Sequence, residues 1–199
     1  MIDYSLQSSM STEICESDQS DLLYWQEIKA GDTDAFSYLF RRYYEPLYQF
    51  SGRFVKDPQT AENIVQDVFV KLWTNRKKCQ IKTSVKSYLY TAVKNYSLNY
   101  LKLAKKTVYF EIESNYLPDF GSSPEMEYIE NEMSTEIHKE IDKLPEQCRQ
   151  IYLMKRYDNL KYSEIADILN ISINTVKTQM KRAMKSLLKN LSYLITVPE

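Results

Sequence analysis

Apolar residues recur every three or four positions along most of this 199-residue chain, the period of helices that bury one face. A short helix is predicted from Asp21 to Ala30, ending at Gly31. Thr33 is then the expected N-cap of a long helix, whose apolar positions are Phe36, Leu39, Phe40, Tyr43, Leu47, Phe50 and Phe54. Pro46 falls inside this pattern, where its missing N–H and its ring should kink or perturb the helix. The next helix has a sharper start, with Asp57 at the N-cap and Pro58 at the first helical position. Ala61, Ile64, Val65, Val68, Phe69, Leu72 and Trp73 follow as one continuous stripe. Residues 75–82 are basic and carry no stripe, so they read as a loop. Ser84 is the expected cap of a further helix to about Ala104. Its buried side comprises Val85, Leu89, Ala92, Val93, Tyr96 and either Leu101 or Leu103. Together these elements predict a helical bundle of roughly 75–85 residues.

The period is lost over 105–133, which contains Pro118, Gly121, Ser122, Ser123 and Pro124. Beyond it a short helix is predicted from Glu136 to Lys143, and Pro145 opens another with Cys148, Ile151 and Tyr152 inward. Asp158-Asn159 closes that helix, and two more follow near 162–169 and 174–190. The last pair has the design of a helix-turn-helix. Ile165, Ala166, Ile168 and Leu169 make the apolar face of its first helix, and Ala166 is small enough for a close crossing. Asn170 stands where the chain must turn, and Asn tolerates left-handed backbone better than most residues. Ile171 plugs the turn, and Ser172 can cap the second helix. Val176, Met180, Ala183, Leu187 and Leu188 are that helix's expected buried positions. The predicted fold is all-α: two small helical domains, at 21–104 and 134–192, joined by an acidic linker at 105–133 and preceded by a disordered tail at 1–20 rich in Ser, Gln and acids.

Charge changes the picture. The net charge is −1, yet residues 35–104 carry twelve Lys/Arg against four Asp/Glu and residues 146–199 nine against five. The segments 1–34 and 105–145 are acidic, with one against eight and four against ten. Basic modules of this kind attract a polyanion such as nucleic acid. Residues 173–190 hold five basic groups and no acid. In a major groove the first turns of such a helix reach base edges and its later cations meet phosphates. Asn174, Thr175, Lys177, Thr178, Lys181, Arg182 and Lys185 are therefore the candidate DNA contacts of the second module.

Other chemistry is thin. Three Cys, at 15, 79 and 148, and the single His138 have no metal-ligand spacing, which predicts neither a zinc site nor a disulfide framework and suits a reducing cytoplasm. No cofactor is expected. No apolar run approaches the roughly 20 residues of a membrane span, and no signal-peptide pattern opens the chain. With no catalytic constellation, neither enzymatic activity nor a small-molecule substrate is expected.

The motifs resemble a known family. Leu144-Pro145-Glu146-Gln147, Tyr162-Ser163-Glu164-Ile165-Ala166 and Asn174-Thr175-Val176-Lys177-Thr178 resemble region 4 of the extracytoplasmic-function (ECF) sigma factors. Gly31-Asp32-Thr33-Asp34-Ala35-Phe36, the stretch from Ala61 to Trp73, and Ser87-Tyr88-Leu89-Tyr90-Thr91-Ala92-Val93-Lys94-Asn95 resemble region 2. The resemblance spans about residues 21–192. The family often has Gly where Asn170 stands and Ser or Thr where Lys161 stands. It implies a partner, core RNA polymerase, and a target, promoter DNA. It also implies an anti-sigma factor as regulator and no membrane insertion. The first module would bind polymerase through Asn63, Gln66, Asp67, Val70 and Lys71, on the polar side of the striped helix. It would open the minus-ten element with Lys77, Lys78, Lys82, Tyr88, Lys94, Asn95 and Asn99, since unpaired bases need stacking partners, amide groups for their edges and a cationic track. Arg76 in the loop and Tyr90 on the helix belong to the same expected surface. The second module would read the minus-thirty-five element as duplex. Two other readings stay open at this point: a stand-alone helix-turn-helix regulator that binds DNA unaided, and an adaptor that only sequesters protein partners.

Overall fold

A computed structural model describes residues 20–81, 83–107 and 137–195. Almost all of the predicted tail and linker, and Lys82, lie outside the described residues. The chain divides into two compact units, Met1–Pro118 and Asp119–Glu199, and the described residues contain helices and their connections but no strand.

The first unit contains α1 (20–30), α2 (Thr33–Val55), α3 (Pro58–Thr74) and α4 (Val85–Thr107). The three long helices pack pairwise around Leu39, Leu47, Phe50, Val65, Phe69, Leu72, Leu89 and Val93, all buried. Helix α3 starts as its sequence predicts: Asp57 accepts from the Thr60 N–H at 2.8 Å ahead of Pro58. Ser84 accepts from the Ser87 N–H at 3.1 Å and so opens α4, which then runs to Thr107. Helix α2 differs in its cap. Asp32, not Thr33, takes that position, its carboxylate accepting from the N–H groups of Asp34 and Ala35 at 2.8 and 3.0 Å. A carboxylate suits a helix N-terminus better than a hydroxyl, because the helix dipole adds to the hydrogen bonds. Pro46 does not break α2, which continues through it for nine residues to Val55. Packing on α3 and α4 outweighs one lost backbone bond.

Helix α1 is held more tightly than its length suggests. Trp25 and Ile28 are fully buried, and Asp21, also buried, accepts from the Tyr43 hydroxyl while lying 3.0 Å from Arg42. A buried carboxylate is tolerated when it is paired in this way. Asp21, Trp25 and Ile28 share one helical face at steps of four and three. The chain then leaves α1 at Gly31 with φ of +105°, a conformation that favours glycine.

The second unit contains α5 (137–142), α6 (Glu146–Arg156), α7 (Tyr162–Leu169) and α8 (Ile173–Ile195). Helix α8 packs on both α6 and α7. Ile141, Leu144, Cys148, Ala183 and Leu187 form one core cluster, and Ile151, Met154, Leu160, Ile165 and Val176 are buried as well. Leu188, an expected core position, is 58% exposed. The inward stripe of α8 is Val176, Met180, Ala183 and Leu187, and the next residue is rotated about 100° away from it. Glu140 accepts from Lys143 and from the Asn190 amide at 2.7 Å, which ties α5 to α8 and holds its carboxyl below the usual range.

The turn of the helix-turn-helix is built on backbone geometry. Asn170 has φ of 54° and ψ of 50°, the left-handed region, and the Ile171 N–H bonds the Ala166 carbonyl at 3.0 Å to close α7. At its other end, α7 lacks a side-chain cap at Lys161, but Glu164 accepts from the Lys161 N–H at 2.9 Å. Replacing Asn170 by Val should cost about 1–2 kcal/mol, because a branched Cβ crowds the carbonyl in this conformation, whereas Asn170→Gly should cost nothing or stabilise. Urea unfolding midpoints of the two variants test this, and equal midpoints would contradict it.

Candidate nucleic-acid interface

In the second unit the sequence order dictates the site. Ser172 accepts from the Thr175 N–H at 3.0 Å and caps α8. The first turns of α8 therefore emerge directly from the turn. Asn174, Lys177, Thr178, Lys181, Arg182 and Lys185 are all exposed on this helix, and Thr175 is half-buried. Two hydroxyls are committed. Thr175 Oγ1 lies 2.9 Å from Ser172 Oγ, and Thr178 donates to the Asn174 carbonyl at 2.9 Å. Thr178 is thus left with an acceptor and a methyl group to offer, which suits a cytosine amino group or a thymine methyl.

One α8 residue passed unremarked in the sequence. Gln179 accepts from the Cys148 thiol at 3.0 Å and donates to Gln147 at 2.9 Å, joining α6 to α8 beside Arg182. These residues line a shared groove with Leu144, Pro145 and Ser186. Gln147 and Gln179 come from separate helices, so only the tertiary packing shows the pairing.

In the first unit, α4 places Tyr88, Asn95 and Asn99 on one face, at steps of seven and four. Both Asn residues are exposed, and Tyr88 partly so. Burial, and then a hydrogen bond with Cys79, push the Tyr88 phenol up to about 12, so the ring stays neutral at any working pH. The same Cys79 contact ties the basic loop to α4, and Lys77 and Lys78 in that loop are exposed. Lys94 is half-buried, which lowers its pKa. Two neighbours behave otherwise. Tyr90 is fully buried with its ring 4.9 Å from Phe50, so it is core and cannot stack on a base. Arg76 lies 4.1 Å over the Trp73 ring and donates to the Trp73 carbonyl at 2.8 Å, so its guanidinium is held against the protein.

Helix α3 turns a second surface outward. Asn63, Gln66, Asp67, Val70 and Lys71 are all exposed, and Val70 is 61% exposed although its neighbours Val68 and Phe69 are buried. Gln59 donates to Asn63 at 3.3 Å and Gln66 to Glu62 at 3.0 Å. Beside this face runs a half-buried aromatic ladder on α2, Phe36, Phe40, Tyr44 and Tyr48. Its spacing of four is visible in the sequence, but the two Tyr residues alternate with buried Tyr43 and Leu47 and were not separable from core. The Lys71 ammonium reaches away from α3, to lie 4.5 Å from the Tyr96 ring centre.

A capped helix whose only charges are basic, set after a helix-turn, and a separate helical unit with a basic loop and an exposed polar helix face have the pattern of a two-module transcription initiation factor. The Sigma-70 region 2 family matches residues 39–107 and the Sigma-70 region 4 family residues 134–187, and the chain belongs to the ECF RNA polymerase sigma factors. It is 30% identical over 176 residues to the ECF RNA polymerase sigma factor SigW of Bacillus subtilis (strain 168), spanning 83% of this chain and 94% of that one. It is 25% identical to the ECF RNA polymerase sigma-E factor of Escherichia coli (strain K12), over 84% of this chain and 92% of that one. The solved structure of CnrH in complex with the cytosolic domain of CnrY is similar in fold, with a TM-score of 0.61 at 17% identity over 87% of this chain and 97% of that one. Sigma factors are initiation factors, not enzymes. Among the described residues no helix is long and apolar enough to cross a membrane.

Proposed function

We propose that the two units divide promoter recognition between them. The chain is a sigma factor that binds core RNA polymerase and directs promoter-specific initiation. In this reading residues 21–104 bind polymerase and open the minus-ten element, and residues 134–192 read the minus-thirty-five element as duplex. The observation that carries it is the exposed face of α8, on which every charged group is a cation (Lys177, Lys181, Arg182, Lys185 and Lys189) and which a capped helix-turn-helix presents. For the first unit the support is the α4 face of Tyr88, Asn95 and Asn99, with Lys94, Lys77 and Lys78 beside it. Lys82 belongs to the same reading by its place in the loop. Asn63, Gln66, Asp67, Val70 and Lys71 present the polymerase-binding face. The reaction belongs to the cytoplasm, where polymerase works. CnrH was solved with the cytosolic domain of CnrY, and a protein partner that controls access to polymerase, an anti-sigma factor, is part of this proposal.

The test is run-off transcription with added core enzyme, paired with gel shifts of the free chain. A promoter-specific transcript with core enzyme, and only weak duplex binding without it, is expected, since the acidic segments compete with DNA for the basic modules. Nanomolar, sequence-specific binding by the free chain would favour a stand-alone regulator. Core binding without any transcript would favour an adaptor.

A further inference from the structure

The polymerase-facing helix and the base-reading helix are joined by a contact that neither role requires. Lys71 is exposed near the end of α3, on the same side as Asp67 and Val70. Its ammonium, though exposed, turns toward α4. It lies 4.5 Å from the centre of the Tyr96 ring and hydrogen-bonds the phenol, which, with a weaker pull from Asp67, raises its pKa. Tyr96 is half-buried on α4 and directly follows Asn95. Lys71 therefore stands between Asp67 on one side and the Tyr88–Asn95–Asn99 face on the other.

The arrangement restrains a motion that apolar packing alone leaves soft. Where α3 meets α4, the buried residues Val93 and Leu89 resist separation of the helices, but apolar contact is non-directional and resists rotation of α4 about its own axis poorly. A cation held over the face of one ring is directional. Because Tyr96 and Asn95 are adjacent, fixing the first fixes the direction in which the second points.

We infer that Lys71 is a positioning residue: beside the polymerase contact that the resemblance implies for it, it grips Tyr96 and thereby aims the base-reading face of α4, so that promoter opening by the assembled enzyme depends on it. The inference rests on the proposed minus-ten role of α4.

The experiment measures core-enzyme affinity and permanganate reactivity of the melted promoter for the full chain carrying K71M, Y96F, both together, K71R, or N95A. An exposed cation on a tyrosine ring is a modest interaction, so at saturating core enzyme K71M should reduce melting by about three- to fivefold. Y96F keeps the ring and should reduce melting less. The double variant should melt no worse than K71M alone, and K71R should restore most of the loss. A merely structural role would instead move the unfolding midpoint of K71M, and K71R need not restore melting. Additive losses in the double variant at saturating core enzyme would overturn the inference. Normal melting by K71M with impaired melting by N95A would overturn this inference alone. Normal melting by N95A as well would overturn the minus-ten reading and this inference with it.

Discussion

A chain carrying Asp67→Arg together with Val70→Asp should bind core RNA polymerase about 30-fold more weakly, equivalent to the loss of an interface hot spot of about 2 kcal/mol. Its unfolding midpoint should stay within about 0.5 kcal/mol of the parent, the range of ordinary surface substitutions. Both expectations come from the same fact: α3 has completed its core with Ala61, Ile64, Val65, Val68, Phe69 and Leu72, and Asp67 and Val70 lie outside that stripe. An exposed valine amid polar residues contributes nothing to folding in solution, but on a protein partner it can be covered. Reversing the neighbouring charge and adding a second polar group then set repulsion and desolvation against docking. Val68→Asp is the contrasting control. Val68 is buried, so an unpaired carboxylate there should unfold the first unit rather than spare it. Titration of labelled core enzyme with each variant, beside urea unfolding of the same preparations, distinguishes the two effects. Parent-like core affinity in the double variant would show that polymerase docks elsewhere.

The parts of this architecture that were legible in the sequence are those set by a single residue acting locally. Asp57 before Pro58, Ser84 before α4, Asn170 in left-handed backbone and Ser172 before α8 each satisfy or terminate a helix through a bond within four residues. Position along a stripe was legible too, which is why the whole exposed face of α3 and most of that of α8 stand where the period puts them. What escaped was decided by tertiary contact. Thr33 and Asp32 are both good caps, and the choice between them turned on which side chain could reach two N–H groups at once. Tyr90 and Tyr88 differ by two residues, and only the position of Phe50 on α2 makes one of them core. Leu188 is as apolar as Leu187, but α6 and α7 leave no partner for it. Trp25 was invisible as a core residue because a helix of eleven residues carries too few turns to declare a face by period alone. The contacts of Lys71 and Gln179 lie in the same class: each is made with a residue on another helix, at 25 and 31 or 32 positions' remove.

Alanine at Arg182 should relax the preference for one base pair of the minus-thirty-five element by about 1–3 kcal/mol, the range for a good side-chain contact to a base edge, while leaving the other positions of the element as selective as before. Arg182 is exposed in the third turn of α8, one turn beyond Thr178, and borders the groove that Gln147 and Gln179 close. That bond between the two amides holds Gln179 against α6. Arg182 is thus left to reach outward from a backbone that is fixed at the cap by Ser172 and one residue later by Ala183 in the core. Guanidinium also presents two parallel donors, the pattern that guanine offers acceptors for in the major groove. Lys185 lies nearly another turn along, past the depth at which a straight helix follows the base edges, and its ammonium suits phosphate. Alanine there should weaken all sequences about equally and lower the slope of log affinity against log salt by about 0.9, the release from one neutralised phosphate. Selection from promoters randomised over the upstream element, with core enzyme present, separates the two variants. A shifted consensus for Arg182→Ala and an unchanged one for Lys185→Ala is the expected pair. If both keep the parent consensus, or if Lys185→Ala alone shifts it, the recognition helix enters the groove by a different face.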